Sequence, residues 1–275
     1  MTSTPPDLRP DAVVVAWMFP SHTSGWFTYD LARMVRFDAQ GPGHICGPDG
    51  GLLSLSSGPR IAEARNTIVD RFADMYPKAD WLLMLDSDMT FDPDLVERML
   101  AVADPKNVPI LGGLCFCAGG DDRGPYPTLY REIETKKNYV HVAPVEDYPR
   151  NALVKVGATG GACLLVHRQV FAAMKQPWPN GFGTTQDGEL NPHPWFSEGL
   201  VGPGGKQLGE DIAFCRRAAL LGIPVHVHTG IKLGHVKTQQ IDEDYYAEWR
   251  RKNPPAPQLN RAQRRAETRR KAAVA

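Results

Sequence analysis

The sequence predicts an α/β fold, with helices packed on a mainly parallel sheet, from three observations. Strand and helix signals alternate through the first half of the chain. Trp81–Leu85 is an apolar run too short for a helix and suited to a strand covered on both faces. That run passes directly into Asp86-Ser87-Asp88, so two carboxylates stand at the carboxyl end of a buried strand, where open α/β sheets place their ligands.

In chain order, the β-branched run Ala12–Met18 predicts the first strand, and the loop Phe19–His22 follows it at the same carboxyl edge. Trp26–Phe37 reads as a helix with Phe27, Leu31, Met34 and Val35 inward. Gly41–Gly58, rich in Gly, Pro and Ser, predicts a short strand and loops. Ser57-Gly58-Pro59-Arg60 starts a second helix with Ile61, Ala64, Ile68, Val69, Phe72 and Ala73 on one face, and Arg65 and Asn66 beside it.

Asp92-Pro93 caps and opens a helix over Pro93–Ala103. Ile110–Phe116 is the next strand, and its paired glycines predict close approach of a ligand or another backbone. Ala118–Gly124 is a polar turn, and Thr128–Val145 a pair of strands leaving the main sheet. Val154–Val166 reads as strand, small-residue turn and strand, with His167-Arg168 as its polar end. Gln176–Lys206 is a long loop, and a loop of that length without its own structure is usually functional or disordered. Its Trp178, Trp195 and Phe196 predict an exposed lid or stacking platform, or else an anchor to the body. Leu208–Gly222 is a helix with Gly222 at its C-cap and Ile212, Cys215, Ala219 and Leu220 inward. Pro224–His228 is a last strand, with His226 and His228 on one face, and Asp242–Lys252 a terminal helix.

Composition sets the class. A chain of 275 residues with 42% apolar and 23% charged content is an ordinary globular protein with one sizeable core or two small ones. No apolar run approaches a membrane span and the start lacks a signal-peptide layout, so a cytoplasmic protein is expected. The five cysteines include no zinc-type pairing, because Cys115 and Cys117 stand too close and no second pair follows; they read as reduced, mostly buried thiols. The formal net charge of zero hides an asymmetry: Arg250–Ala275 carries nine Lys/Arg against the single acid Glu267, leaving 22 basic and 30 acidic residues before it. The expected organisation is therefore one domain over residues 1–250 and a basic, flexible tail over 251–275, which would attract polyanions weakly and without sequence preference, or stay solvated.

The chemistry gathers on few residues. Side chains at i and i+2 of an extended segment point the same way, so Asp86 and Asp88 would hold a hard divalent cation, and through it phosphate. Loop and cap residues are the plainer alternative. Glu210-Asp211 opens a helix where the dipole favours acids, which capping alone would explain.

Ala64-Arg65-Asn66, Trp81–Met89 with its Asp86-Ser87-Asp88 motif, Gly209-Glu210-Asp211 and His235 together resemble the GT-A class of nucleotide-sugar-dependent glycosyltransferases, most nearly the family-2-like enzymes of actinobacterial phages. The resemblance spans roughly Ala12 to Val236 through short motifs separated by poorly matched loops. It implies a Rossmann-like GT-A fold with a mixed, mainly parallel sheet. The implied activity moves a sugar from a nucleoside-diphosphate donor to an acceptor hydroxyl, for a phage enzyme conceivably on a virion protein, a modified DNA base or a host glycan. Pro20, Arg65, Asn66, Asp86, Ser87, Asp88, Gly160 and Gly161 would contact the donor, with Arg65 forking onto phosphate. Asp86, Asp88 and His235, with His228 the second choice of histidine, would hold Mn2+ (or Mg2+), since imidazole beside carboxylate and phosphate oxygen suits manganese better than calcium. Asp211 would be the catalytic base of an inverting enzyme and Glu210 would bind the acceptor; a retaining enzyme would need no such base. The alternatives are a nucleotidyltransferase, although Phe19–Gly25 lacks its glycine-rich basic loop, and a non-catalytic nucleic-acid-binding or virion-associated protein, which the tail favours.

Overall fold

The structure is a computed structural model that describes residues 11–41, 43–58, 60–117, 125–133, 141–177, 195–197, 200–201, 207–237, 243 and 251–252. The chain divides into a unit over Met1–Val236 and a second over Lys237–Ala275. Of the expected terminal helix, Glu243, Arg251 and Lys252 are helical, and the rest of it, with the basic tail, lies outside the described residues.

The elements of the first unit run β1 (Val13–Phe19), α1 (Gly25–Gln40), β2 (Gly51–Ser56), α2 (Ile61–Met75), β3 (Trp81–Asp86), β4 (Met89–Thr90), α3 (Leu95–Leu100), β5 (Ile110–Leu114), β6 (Phe116–Cys117) and β7 (Tyr126–Pro127). They continue with β8 (Leu129–Ile133), β9 (His141–Pro144), β10 (Leu153–Val156), β11 (Ala158–Thr159), β12 (Cys163–His167), α4 (Arg168–Lys175), β13 (Leu200–Val201), β14 (Gln207–Leu208), α5 (Glu210–Leu220), β15 (Val225–Lys232) and β16 (Gly234–His235).

Seven strands form the central sheet in the order β10-β15-β5-β12-β3-β1-β2. β1, β2, β3, β5 and β15 point one way, and β12 and β10 run against them, so the sheet is mixed and mainly parallel. Alternation along the strands builds a core on each face. Val14, Ala16, Leu82 and Met84 pack on one side with Ile68 and Phe72 of α2, Phe171 of α4 and Phe214 of α5. Val13, Val15, Leu83 and Leu85 pack on the other with Phe27 and Met34 of α1 and Val96 and Met99 of α3. Both faces of β3 are covered, which is why its sequence is an unbroken apolar run.

This winding decides what reaches the carboxyl edge of β3. A helix that leads into a parallel strand must begin at the edge where that strand ends, so α2 and α5 both start there. β12 runs antiparallel to β3, which sets its leading turn beside Asp86: Cys163 pairs with Leu85, and Asp86 N donates to Ala162 O at 3.0 Å. β16 pairs with β4 so that His235 lies opposite Met89, and Val236 N donates to Asp88 O at 2.8 Å.

Several expectations need correction. The helix expected over Pro93–Ala103 is only Leu95–Leu100; Pro93 sits in a turn closed by Leu95 N donating to Asp92 O at 3.2 Å, so Asp92 caps no helix. Ile61 and Ala73 of α2 are exposed, as are Ala219 and Leu220 of α5, because each helix meets the sheet along a narrower stripe than the pattern implied. Gly112 and Gly113 are approached by the side chains of Thr159, Val227, Leu233 and Cys163 rather than by another backbone. The strands expected in Val154–Val166 form, but not as partners of one another: β10 pairs with β15, β11 with β8, and β12 with β3 and β5. His167 ends β12, as expected, and is also the N-cap of α4, which Arg168 opens while donating to the carbonyls of Tyr76 and Ala79. Trp195 and Phe196 are buried, not an exposed platform, so the anchor reading of that segment holds; Trp178 lies outside the described residues, as does Ala118–Gly124.

Candidate functional site

The carboxyl edge of β3 gathers two clusters. In the first, His235 is fixed from both sides: Phe116 O lies 2.9 Å from Nδ1, and Asp88 Oδ2 lies 3.0 Å from Nε2. A carbonyl only accepts, so the proton on Nδ1 is assigned from this contact, and Nε2 faces the carboxylate. Two acceptor atoms, Nε2 and Oδ2, then face each other, and a proton or a metal cation must sit between them. One imidazole and one carboxylate oxygen form a donor pair suited to manganese. Among the described residues no group of three or more His, Cys, Asp or Glu is placed to hold a metal.

The second cluster is built on Arg65. This side chain is 3% exposed, and its guanidinium donates from Nε to Glu210 Oε1 (3.1 Å), from Nη1 to Gly161 O (2.9 Å) and from Nη2 to Asp86 Oδ1 (3.0 Å). Gly161 also donates its N–H to Asp211 Oδ2 at 3.2 Å, while Asp211 Oδ1 accepts from Ile212 N at 2.7 Å. A Cβ on Gly161 would lie 2.5 Å from Cζ of Arg65, so only glycine leaves room for the guanidinium. Burial pushes the Asp211 carboxyl up to about 6; the charge of Glu210 adds to this, and Arg65 and the two backbone N–H groups oppose it.

Beneath Arg65 lies the ring of Phe196, 5.8 Å from Cζ, stacked on Phe214 with centroids 4.6 Å apart. The segment 195–197 is held by Asn66, which bonds both backbone groups of Phe196, by Trp195 Nε1 donating to Phe171 O, and by Arg217 donating to Trp195 O and Ser197 Oγ. Burial lowers Arg217 to about 10.

The residues singled out from sequence therefore divide. Asp88 and His235 meet; Asp86, Arg65, Glu210, Gly161 and Asp211 form one connected network. Asp86, expected on the metal, spends Oδ1 on Arg65. Arg65, expected beside the donor phosphate, donates to two carboxylates and a carbonyl of the chain, and Asn66, buried, bonds Phe196. Gly160 stands against Thr128. Ser87 accepts through its carbonyl from Ser24 N at 3.1 Å, which joins the Asp86–Asp88 turn to the start of α1. Pro20 is exposed at the end of β1, and His228, the second choice for the metal, accepts on Nδ1 from Gly230 N. Two contributors were missed, the Phe116 carbonyl and Arg217, whereas Phe196 was singled out as platform or anchor and underlies Arg65. Only Arg217 left a signal in the sequence, a cation among Phe214, Cys215 and Ala218 on the inward face of α5.

The chain matches no protein-family model, and no curated protein matches it significantly. Among solved structures, GalNAc-T7 with UDP, GalNAc and Mn2+ resembles it at a TM-score of 0.49 and 12% identity, over 85% of this chain and 45% of that one. The protein A197 from STIV does so at 0.48 and 15%, over 82% and 86%, and the Drosophila β1,4-galactosyltransferase 7 with manganese, UDP-Gal and xylobiose at 0.39 and 14%, over 91% and 78%. The chain thus spans less than half the length of the GalNAc-T7 chain. At these scores the likenesses carry no chemistry to this chain, whose own residues must supply it.

Proposed function

We propose that the chain is a metal-dependent glycosyltransferase that moves a sugar from a nucleoside-diphosphate donor to an acceptor hydroxyl. The observation that carries this reading is the meeting, at one sheet edge, of the facing acceptors Asp88 Oδ2 and His235 Nε2 with a buried, raised carboxyl on Asp211. Asp88 and His235 hold the cation, manganese by their donor chemistry. When bound, it stabilises negative charge on a leaving diphosphate as a Lewis acid. Phe116 O orients His235 for this role by taking the Nδ1 proton.

Asp211 is the base. A carboxyl raised to about 6 is ionised at neutral pH, yet takes a proton more readily than an ordinary aspartate. As the acceptor oxygen bonds to the anomeric carbon and the sugar–diphosphate bond breaks, the hydroxyl proton passes to Asp211. This assignment favours inversion at that carbon. Glu210, the donor contacts expected at Pro20 and Ser87, and the Gly160–Gly161 turn border the same edge.

The test is thermal stability across nucleotide sugars and nucleoside diphosphates, with and without manganese, for wild type and Asp88→Ala. A ligand at a hundred times its Kd stabilises by about 2.7 kcal/mol. A manganese-dependent shift for one donor, lost in Asp88→Ala, is expected. The absence of any shift across the panel would remove the reading.

A further inference from the structure

Arg65 invites a different role from the one its sequence context implies. Its side chain is almost entirely buried, and each of its three arms already has an acceptor on a different element: Asp86 at the end of β3, Gly161 between β11 and β12, and Glu210 at the start of α5. The Phe196 ring lies beneath its Cζ, and the glycine at 161 is required for the guanidinium to fit. A guanidinium has five N–H donors, and each of the three nitrogens here already spends one on an acceptor within the protein.

We infer that Arg65 is a positioning residue: by clamping Gly161 and Glu210 to the end of β3, it sets the place and the charge environment of Asp211, without itself contacting the donor. The inference rests on the reading of Asp211 as the base. Its physical content is simple. Gly161, held through its carbonyl by Arg65, presents its N–H to Asp211 Oδ2, and the positive charge of Arg65, paired with Glu210, counters the effect of Glu210 on Asp211. Among the described residues, the charged and titratable groups that act on Asp211 or feel its charge are Glu210 and Cys215 on α5, Arg65 on α2 and Tyr130 on β8. Of these Arg65 is the cation, and its charge favours the ionised carboxylate, while Glu210 opposes it.

The test is a carboxyl-carbon NMR titration of Asp211 in the full chain, without added metal, with the signal assigned by its loss in Asp211→Asn. Arg65→Gln is expected to move the midpoint up from its wild-type value, and Glu210→Gln to move it down. Arg65→Lys, which keeps the charge but cannot reach all three acceptors, should give a smaller upward shift and a lower kcat at unchanged donor KM. It also carries the test should Arg65→Gln not fold. An arginine that only stabilised the fold would lower Tm and leave the midpoint in place, which would overturn the inference. So would a rise in donor KM at a fixed midpoint, since that marks a phosphate contact. A midpoint that moves in a protein that transfers no sugar would sustain the inference and remove the proposed function instead.

Discussion

Asn66 and Phe196 face each other as two residues of a β-ladder do, although Asn66 belongs to α2 and Phe196 to no strand. Asn66 Nδ2 donates to Phe196 O at 2.8 Å, and Phe196 N donates to Asn66 Oδ1 at 2.9 Å. One side-chain amide thus satisfies both backbone groups of a fully buried residue, and through the Phe196 ring it supports Arg65.

Asn66→Ala should therefore destabilise well beyond the loss of one contact. Each backbone group left buried without a partner costs about 1–3 kcal/mol. Urea unfolding should show the loss as a lower midpoint at unchanged slope. Asn66→Asp should not rescue it, because a carboxylate oxygen would then face the Phe196 carbonyl.

Gly161→Ala tests the seat of Arg65. The new Cβ must displace a guanidinium held by three partners, and such overpacking costs about 1–3 kcal/mol. Turnover should fall more than stability does. A variant with wild-type turnover would show that the guanidinium can shift without consequence.

Asp211 should leave a pH signature in stability. Its folded-state value of about 6 lies above the ordinary 3.8, so the folded protein holds an extra proton between those limits. Stability referred to Asp211 is present below about 4 and lost as pH rises through about 6. The Asp211→Asn variant lacks this loss. Its Tm should gain on wild type between pH 4 and 7, while its transfer rate falls; parallel Tm profiles would refute the raised carboxyl.

Removing metal should mimic removal of its ligands. Chelation is expected to abolish donor binding, with manganese restoring it better than calcium. His235→Ala should raise the manganese concentration for half-maximal activity at least about tenfold, since even outer partners of metal ligands shift affinity by 10–100-fold. Equal response to manganese in both proteins would exclude His235 as a ligand.

How much of this was legible beforehand follows from what kind of information each feature needs. Trp81–Leu85 announces a doubly covered strand because burial on both faces forbids polar residues at either parity, a local constraint readable as composition. The helical stripes of α1 and α2 are likewise periodic, and so visible, though the alternation could not tell that Ile61 and Ala73 fall outside the contact. Asp86, Asp88, Asp211 and His235 stood out by residue type and by the elements that precede them.

What the sequence by itself determined, then, is the alternating α/β order, the buried β3 and the polar residues at its end, because those depend on neighbours along the chain. Only the tertiary structure decided their partners. That Arg65 bonds Glu210 and Asp86, and that Trp195 and Phe196 fill a core, depends on contacts between segments far apart in sequence. Those contacts are set by the antiparallel β12 beside β3 and the pairing of β16 with β4. A strand's direction within a sheet is a property of the whole winding, and leaves no mark on the residues at its ends.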